Sequence, residues 1–184
     1  MATLPRPLTY REFVRVTNPG ESCELVRGEV IETSPGGLDH GRSSARIVFA
    51  LEAWARSSKL GRTFTNEVGL ITERDPDSVR GADVVYYSYE RLPRASEQRT
   101  FSSVPPNLVV EVIGRGQSWA NLIEKGGEYL RMGVDRVWLV DAERRTVHVL
   151  SKDEPPREYP PHGTLSDPAI LPGFEMPVGE MFQD

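Results

Sequence analysis

The sequence has little of what secreted and membrane-spanning proteins are built from. Its 184 residues include one cysteine, Cys23, which therefore has no partner in the chain for a disulfide. No apolar run approaches the roughly 18 residues that a membrane-spanning helix needs, and no charged and then apolar leader follows Met1. We therefore expect neither secretion nor a membrane partner, and predict a cytoplasmic protein.

Several catalytic signatures are also missing. The three histidines, His40, His148 and His162, are scattered and, with a single cysteine, offer no ligand set for zinc. The chain has no Gly-x-Ser-x-Gly nucleophile elbow and no complete phosphate-binding loop of the pattern Gly-x-x-x-x-Gly-Lys-Ser/Thr. The short segment 114–116 (GRG) is open to two interpretations, a cradle for a phosphate or a plain turn after a strand.

Length and composition predict one domain, 1–184. A chain of this size, with 38% hydrophobic residues, buries roughly 70% of its unfolded surface and needs no disulfide or metal to fold. The one shift in composition follows Leu150, because seven of the 15 prolines fall within 151–184. Since proline removes a backbone donor, we predict an extended C-terminal appendage with short edge strands rather than a second domain.

The net charge of −5 argues at first against a nucleic-acid partner, because phosphates are usually neutralised by a basic surface. Residues 151–184, however, contain seven acidic and two basic residues, which leaves 20 of each in residues 1–150. The acidity therefore belongs to the tail and has little force against a phosphate substrate. It predicts that such a substrate avoids Asp153, Glu154 and Glu158.

Hydrophobic periodicity predicts an ordered series of a strand pair, a helix, three strands, a helix, a hairpin and the tail. The first helix rests on apolar residues at helical spacing from Ile47 to Ala55 and is predicted to stop at Gly61; the second runs from Ser118, a possible N-cap, to Gly133 at its C-terminal cap. This order predicts an α+β (α/β) fold in which helices flank a mixed sheet. The predicted strands are a pair within 24–30, then 62–72, 82–88, 108–113, 136–141 and 146–150.

Two acids interrupt apolar strands. Asp83 stands at the start of one, and Glu111 stands inside another. A carboxylate buried in a sheet costs several kcal/mol unless a positive group compensates it. A bound Mg²⁺, which prefers oxygen ligands, would supply that charge. The alternative is that each acid is solvated at a strand end or paired with an arginine, and the pair of acids alone does not decide between them.

Lys125 on the second helix favours a site. The chain has three lysines against 19 arginines. Asn121 at i−4 and Tyr129 at i+4 share a helix face with Lys125, which groups an amide, an ammonium and a phenol. The alternative is an exposed helical lysine. Gly126 and Gly127 each cost about 1 kcal/mol relative to alanine in a helix, for which close packing on a sheet is the simplest reason.

Five segments, taken in chain order, resemble the bacterial putative restriction endonuclease family, a branch of the PD-(D/E)XK nuclease superfamily. The resemblance extends from 24–29 and His40 to 171–174, so it spans nearly the whole chain. It implies a restriction endonuclease-like fold, with an N-terminal hairpin beside the mixed sheet. The five segments are 81–85 (GADVV), 108–113 (LVVEVI), 121–125 (NLIEK), 129–134 (YLRMGV) and 137–141 (VWLVD).

The resemblance also implies a site. Asp83 and Glu111, with a backbone carbonyl near Val112, would bind Mg²⁺, with Mn²⁺ as a substitute, and Lys125 would orient the attacking water and stabilise the transition state. In the superfamily the lysine normally stands two residues after the second acid, where this chain has Ile113. The family resembled commonly moves it to the following helix, which Lys125 matches. The implied reaction is hydrolysis of phosphodiester bonds in DNA, by a homodimer.

The chain departs from the family at Ala82, Gly114 and Asn121, where proline, serine and aspartate are common. Glu24 matches an early acidic motif of the family, with a salt bridge within the hairpin as the alternative. His40 is predicted either to touch a phosphate or assist proton transfer, or to pack at a helix start. Asn121 and Tyr129 are further auxiliary candidates.

Two functions from other classes stay open. The first is a catalytically degenerate nuclease fold that binds nucleic acid or a protein. The second is an interaction module that uses the proline-rich tail, which predicts that deletion of 151–184 abolishes partner binding.

Overall fold

The structure is a computed structural model that describes residues 6–17, 22–96, 101–114 and 117–183. Arg115 and Gly116, which belong to the possible phosphate cradle, lie outside the described residues. The elements in chain order are α1 Tyr10–Val16, β1 Cys23–Val26, β2 Glu29–Glu32, α2 Leu38–Ser58, β3 Gly61–Glu73, β4 Ser78–Ser88, β5 Leu108–Val112, α3 Trp119–Met132, β6 Arg136–Asp141, β7 Thr146–Leu150, β8 Arg157–Tyr159, β9 Thr164–Leu165, β10 Met176–Pro177 and a 3₁₀ helix, Val178–Phe182.

One mixed sheet of eight strands organises the described residues. Its order is β2-β1-β4-β5-β6-β7-β8, and β3 pairs with β4 outside this path. Strands β5 and β6 are parallel and are connected through α3, whereas the other neighbours are antiparallel. This is the predicted α+β (α/β) arrangement of a mixed sheet flanked by helices, with the predicted N-terminal hairpin β1–β2.

The central strands are buried on both faces, which explains their continuous apolar sequences. On one face, Val84 and Val110 pack in a cluster with Ile47 of α2. On the other, Val85 packs in a second cluster with Leu122 of α3. The two helices therefore hold the ends of β4 and β5 from opposite sides.

Local sequence signals predict several boundaries correctly. The side chain of Ser118 accepts a hydrogen bond from Asn121 N and caps α3, and Gly133, with φ of 110°, ends it. Strands β6 and β7 have the predicted bounds. The first predicted helix ends earlier than expected, because Lys59 adopts the left-handed conformation and forms the cap. Helix α1, whose capping box is formed by Thr9, was not predicted.

Strand β4 begins at Ser78, four residues before the predicted start. Asp83 therefore lies well inside the strand. No helix in the described segments is both long enough and apolar enough to cross a membrane.

The tail contributes to the core. It contains three short strands, β8 to β10, separated by bends and turns and followed by the 3₁₀ helix, and β8 adds to the edge of the sheet at β7. The tail is therefore not the extended appendage that its proline content predicted. Its apolar side chains, among them Leu165, Leu171, Val178 and Met181, are buried in the cluster that contains α2. The composition of the tail did not predict this burial. The single domain 1–184 stays a prediction, which this packing supports.

Candidate active site

The predicted site residues meet at a cavity of about 450 Å³ beside the ends of β4 and β5. The strands β1 and β5, the first turn of α2 and the first half of α3 all contribute to its wall. Asn121 lies on the wall but is exposed to solvent. The charged and titratable side chains that line the cavity include Glu24, His40, Glu67, Asp83, Glu111 and Lys125.

Asp83 is fixed by the neighbouring strand and by α2. Its Oδ2 accepts a hydrogen bond from Val112 N at 2.7 Å and lies 3.1 Å from His40 Nε2. Because the N–H and C=O groups of one residue in a strand point to the same side, the carbonyl of Val112 faces the same side as the carboxylate. Asp83, Val112 and His40 thus converge at one end of the cavity.

Glu111 is almost fully buried, with 3% of its surface exposed. Its two carboxylate oxygens contact α3: Oε2 lies 2.9 Å from Lys125 Nζ, and Oε1 accepts a hydrogen bond from Tyr129 Oη at 2.7 Å. Burial raises the pKa of Glu111 to about 8, although the Lys125 charge and the two hydrogen bonds oppose that rise. Burial also raises the pKa of Tyr129 well above its usual value, so the phenol keeps its proton.

Lys125 is a largely buried cation, with 13% of its side chain exposed, rather than an exposed helical lysine. Its Nζ lies within 2.9 Å of Glu24 Oε1 and Glu111 Oε2, and 2.8 Å from Gly81 O. Burial alone would lower the pKa of Lys125, but Glu111 and Glu24 more than offset it and hold the pKa above its ordinary value. The ammonium stays charged and all three of its protons have protein acceptors.

Helix α3 comes close enough to the sheet to place this ammonium because of Gly126. A Cβ at that position would lie 2.8 Å from Leu150 Cδ1, so only glycine fits without a shift. The close packing on the sheet that was predicted for Gly126 and Gly127 is present at Gly126 alone, since a Cβ at Gly127 would meet only the Arg131 side chain of the same helix, at 3.3 Å. On this face Lys125 and Tyr129, one helical turn apart, reach the same carboxylate.

Glu24 does not form a salt bridge within its hairpin. Its Oε2 lies 2.9 Å from Arg80 Nη1 of β4, and its Oε1 accepts a hydrogen bond from Gly81 N at 2.9 Å and faces Lys125. Burial would raise the pKa of Glu24, yet Lys125 and Arg80 together hold it below the ordinary value. Glu24 of β1 thus faces the cavity, and its carboxylate contacts both β4 and α3.

His40 lies in the first turn of α2 and reaches the site. Its hydrogen bond to Asp83 raises the pKa of the imidazole, against the opposing effect of burial. Packing at the helix start is thus only part of its role, because the ring is directed at the Asp83 carboxylate.

Three charged residues of this region were not singled out from the sequence. Glu67 sits in a bulge of β3, where Asn66 and Glu67 adopt left-handed backbone with φ of 75° and 55°. No glycine marks this bulge, so the sequence carried no signal for it. Arg80, on the wall of the cavity, forms an ion pair with the buried Glu128 behind it. The spacing of Glu128 from Lys125 on one helix face was the available signal.

The charges around the cavity suit a divalent cation. Six carboxylates line it, those of Glu24, Glu32, Glu67, Asp83, Glu111 and Glu124. The basic side chains beside them are Lys125, His40, whose pKa is raised by Asp83, and Arg80, which is shared with Glu128. No group of three or more His, Cys, Asp or Glu side chains within the described segments is arranged to hold a metal unaided. Asp83 and Glu111 are a donor set of the size that Mg²⁺ uses, since this ion takes one or two carboxylates and completes its shell with water and substrate phosphate.

Comparisons with known proteins agree on the fold. The Uma2 family, described as "Putative restriction endonuclease", matches residues 10–179. A crystal structure of "a putative nuclease belonging to DUF820" from Anabaena variabilis ATCC 29413 superposes with a TM-score of 0.84, covering 96% of this chain and 98% of that chain at 18% identity. No curated protein matches the chain. The architecture is therefore restriction endonuclease-like.

Proposed function

The chain belongs to the Uma2 family of restriction endonuclease-like proteins, and on that premise we propose that it is a Mg²⁺-dependent endonuclease that hydrolyses phosphodiester bonds of DNA. The observation that carries this proposal is the contact between Lys125 Nζ and Glu111 Oε2, beside an Asp83 that is hydrogen-bonded to Val112. Two carboxylates and an ammonium at one cavity are the groups that metal-assisted phosphodiester hydrolysis requires.

Asp83, Glu111 and the carbonyl of Val112 would hold the cation, with Mn²⁺ as a substitute for Mg²⁺. When bound, the ion acts as a Lewis acid on the phosphate and lowers the pKa of a water molecule. Tyr129 donates to Glu111, and His40 faces Asp83, so each carboxylate is oriented by a fixed partner. Both contacts of Asp83 use its Oδ2, which leaves Oδ1 for ligation. Glu111 contacts Tyr129 through Oε1 and Lys125 through Oε2, so each of its oxygens keeps a further lone pair for ligation.

Lys125 would place a permanent positive charge beside the scissile phosphate. A cation held in a water-poor cavity stabilises the charge that develops on the phosphate oxygens more strongly than one in bulk water. The approach of this lysine from α3, rather than from the position directly after β5 where Ile113 stands, supports the displaced position that the family resemblance implied. Asn121, one turn earlier on the same face, lines the cavity and is available to the substrate.

A degenerate nuclease fold that only binds nucleic acid is the second candidate. One observation favours it: Lys125 already donates to Glu24, Gly81 and Glu111, and no proton of its ammonium is directed at a free position. Catalysis therefore requires that metal and substrate binding release at least one of these contacts. The degenerate candidate predicts binding of DNA without cleavage.

Cleavage assays separate the two candidates. Supercoiled plasmid, linear duplex, single-stranded DNA and RNA are incubated with the purified protein in Mg²⁺, Mn²⁺ or EDTA. We expect metal-dependent cleavage of DNA that is lost in Asp83→Asn and kept in Asp153→Asn, an exposed acid of the tail. Cleavage in EDTA, or equal cleavage by both variants, contradicts the proposed site. Metal-independent DNA binding without cleavage supports the degenerate candidate.

Homodimer formation and a cytoplasmic location stay predictions. Light scattering coupled to size exclusion measures the first, with a mass of twice 20.6 kDa expected. Fractionation of the source cells measures the second.

A further inference from the structure

An ion pair joins Arg80, on the wall of the cavity, to Glu128, which is buried behind it. Glu128 of α3 is 0% exposed, and its carboxylate receives two hydrogen bonds from the Arg80 guanidinium, Nε at 2.7 Å and Nη2 at 2.5 Å. This two-point contact is the strongest geometry available to an arginine and a carboxylate. Glu128 is not among the described residues that line the cavity, so it does not meet a substrate there.

Stability alone does not explain this pair. Desolvation of two charges costs several kcal/mol, and well-packed apolar residues of similar volume are often at least as stabilising as a buried ion pair. Arg80 and Glu128 lie between the sheet and α3, where apolar side chains fill the neighbouring positions. A charged pair in this place is therefore expected to position another group.

That group is Glu24. While Nε and Nη2 of Arg80 hold Glu128, Nη1 of the same guanidinium lies 2.9 Å from Glu24 Oε2. The second oxygen of Glu24 is 2.9 Å from Lys125 Nζ. Since a guanidinium is planar and rigid, fixing one edge of Arg80 on Glu128 fixes the direction of the edge that holds Glu24.

The series of contacts begins and ends on α3. Lys125 and Glu128 are three residues apart and share one helix face, so the helix carries both ends of the series Glu128, Arg80, Glu24 and Lys125. Without Arg80, Glu24 would keep only the contacts of its Oε1 with Gly81 N and Lys125 Nζ, and its Oε2 would be free to rotate into the adjacent cavity. Lys125 would then lose one of its three acceptors and the restraint that directs it along Glu111.

We propose that Arg80 and Glu128 are positioning residues, which act through Glu24 to hold the Lys125 ammonium against Glu111. This inference rests on the proposed nuclease function for its catalytic meaning, but the placement of Lys125 is measurable without any activity. Neither residue takes part in the chemistry itself.

The test uses lysine-specific NMR on the full chain. The protein has three lysines, and Lys59 and Lys152 are exposed, so lysine labelled with ¹³C and ¹⁵N gives one buried ammonium signal with slow hydrogen exchange. We expect this signal to vanish or broaden in Arg80→Met/Glu128→Leu. The matched control is Arg136→Met/Asp167→Leu, which removes another partly buried pair, at 2.6 Å, and should leave the signal intact.

The isosteric variant Glu128→Gln provides the same test if the double variant folds poorly, and it should weaken the protection of the Lys125 ammonium. An unchanged Lys125 signal in either folded variant overturns the proposal. So does loss of the signal in the control pair.

The catalytic arm is separate. Loss of supporting contacts to active groups typically costs about 10-fold to 100-fold. We expect that loss in the kcat of Glu128→Gln, with KM unchanged because Glu128 does not line the cavity. A merely structural role would lower the folded fraction and leave kcat per folded molecule unchanged, which overturns the positioning role. If the wild type cleaves no nucleic acid, the proposed function fails while the NMR result still decides whether Arg80 and Glu128 place Lys125.

Discussion

The ammonium of Lys125 lies 2.9 Å from the carboxylate of Glu111, although the lysine belongs to a helix and the acid to the strand that precedes it. The fold thus brings the ammonium to Glu111 from α3, while Ile113, directly after β5, occupies the position where the superfamily normally has its lysine. In the proposed mechanism the charge beside the carboxylate is what is required, whichever element carries it.

Replacement of that charge tests this relationship. Lys125→Met should reduce kcat by about 10²-fold to 10³-fold, the usual effect of removing one preorganised stabilising group. The control Lys152→Met, at an exposed position of the tail, should retain full activity. Single-turnover cleavage of a labelled DNA duplex measures the effect on the chemical step. Equal rates for Lys125→Met and the wild type would remove Lys125 from the proposed mechanism.

The pKa of Glu111 predicts an unusual response of stability to pH. Burial raises this pKa from the ordinary 4.5 to about 8, so between these values the folded metal-free protein binds more protons than the unfolded chain. The contribution of Glu111 to the free energy of unfolding is therefore fully present below pH 4.5 and is lost as pH rises toward 8. The slope has an upper bound of about 1.4 kcal/mol per pH unit.

Urea denaturation from pH 5 to pH 8 in EDTA measures this slope. Glu111→Gln keeps the shape of the side chain without the titration, so its stability should depend less on pH than that of the wild type. Parallel curves for the two proteins would show that Glu111 is ionised in the folded state throughout this range.

The raised pKa of His40 predicts a pH dependence of stability with the same sign as that of Glu111. Its hydrogen bond to Asp83 raises the pKa of the imidazole above 6.5, so the stabilisation is fully present below pH 6.5 and disappears as pH rises through the raised value. His40→Gln should unfold about 1 kcal/mol more easily than the wild type at pH 5.5, a typical value for one ion pair, and equally at pH 8.5. The exposed His162→Gln is the matched control. A difference that persists at pH 8.5 would assign the loss to packing instead.

The burial of Leu171 predicts that the tail is part of the folding unit. The side chain is fully buried in the cluster of α2, so Leu171→Ala should lower the free energy of unfolding by about 2–5 kcal/mol. Leu60→Ala, at a position that is 44% exposed, should change it by no more than about 0.5 kcal/mol. Urea denaturation measures both. A negligible effect at Leu171 would support the detachable appendage.

The sequence predicted those elements whose signals are local. Helix α3, capped by Ser118 and Gly133, and the hairpin β6–β7 followed from capping residues and alternation. The proline-rich tail was predicted to be extended, but composition does not show where its apolar side chains pack. The early start of β4 was missed because Arg80 interrupts the apolar pattern. The partners of Arg80, Glu24 and Glu128, come from distant parts of the chain.

In the candidate site, too, local signals predicted some residues, while others depend on tertiary structure. Asp83, Glu111 and Lys125 were chosen from residue types and a family resemblance, and the structure brings all three to one cavity. The contacts of Glu24 depend on the pairing of β1 with β4. The position of Glu67 on the cavity wall depends on a bulge that contains no glycine. Those are consequences of tertiary structure that no local pattern encodes.

Calorimetric titration of Mn²⁺ into the metal-free protein tests the central claim most directly, because it requires no substrate and no knowledge of sequence specificity. At pH 8.5, above the raised pKa of Glu111, we predict saturable binding of the wild type, loss of that binding in both Asp83→Asn and Glu111→Gln, and unchanged binding in the exposed tail variant Glu158→Gln. No binding by the wild type, or binding that survives both site substitutions, would contradict the account.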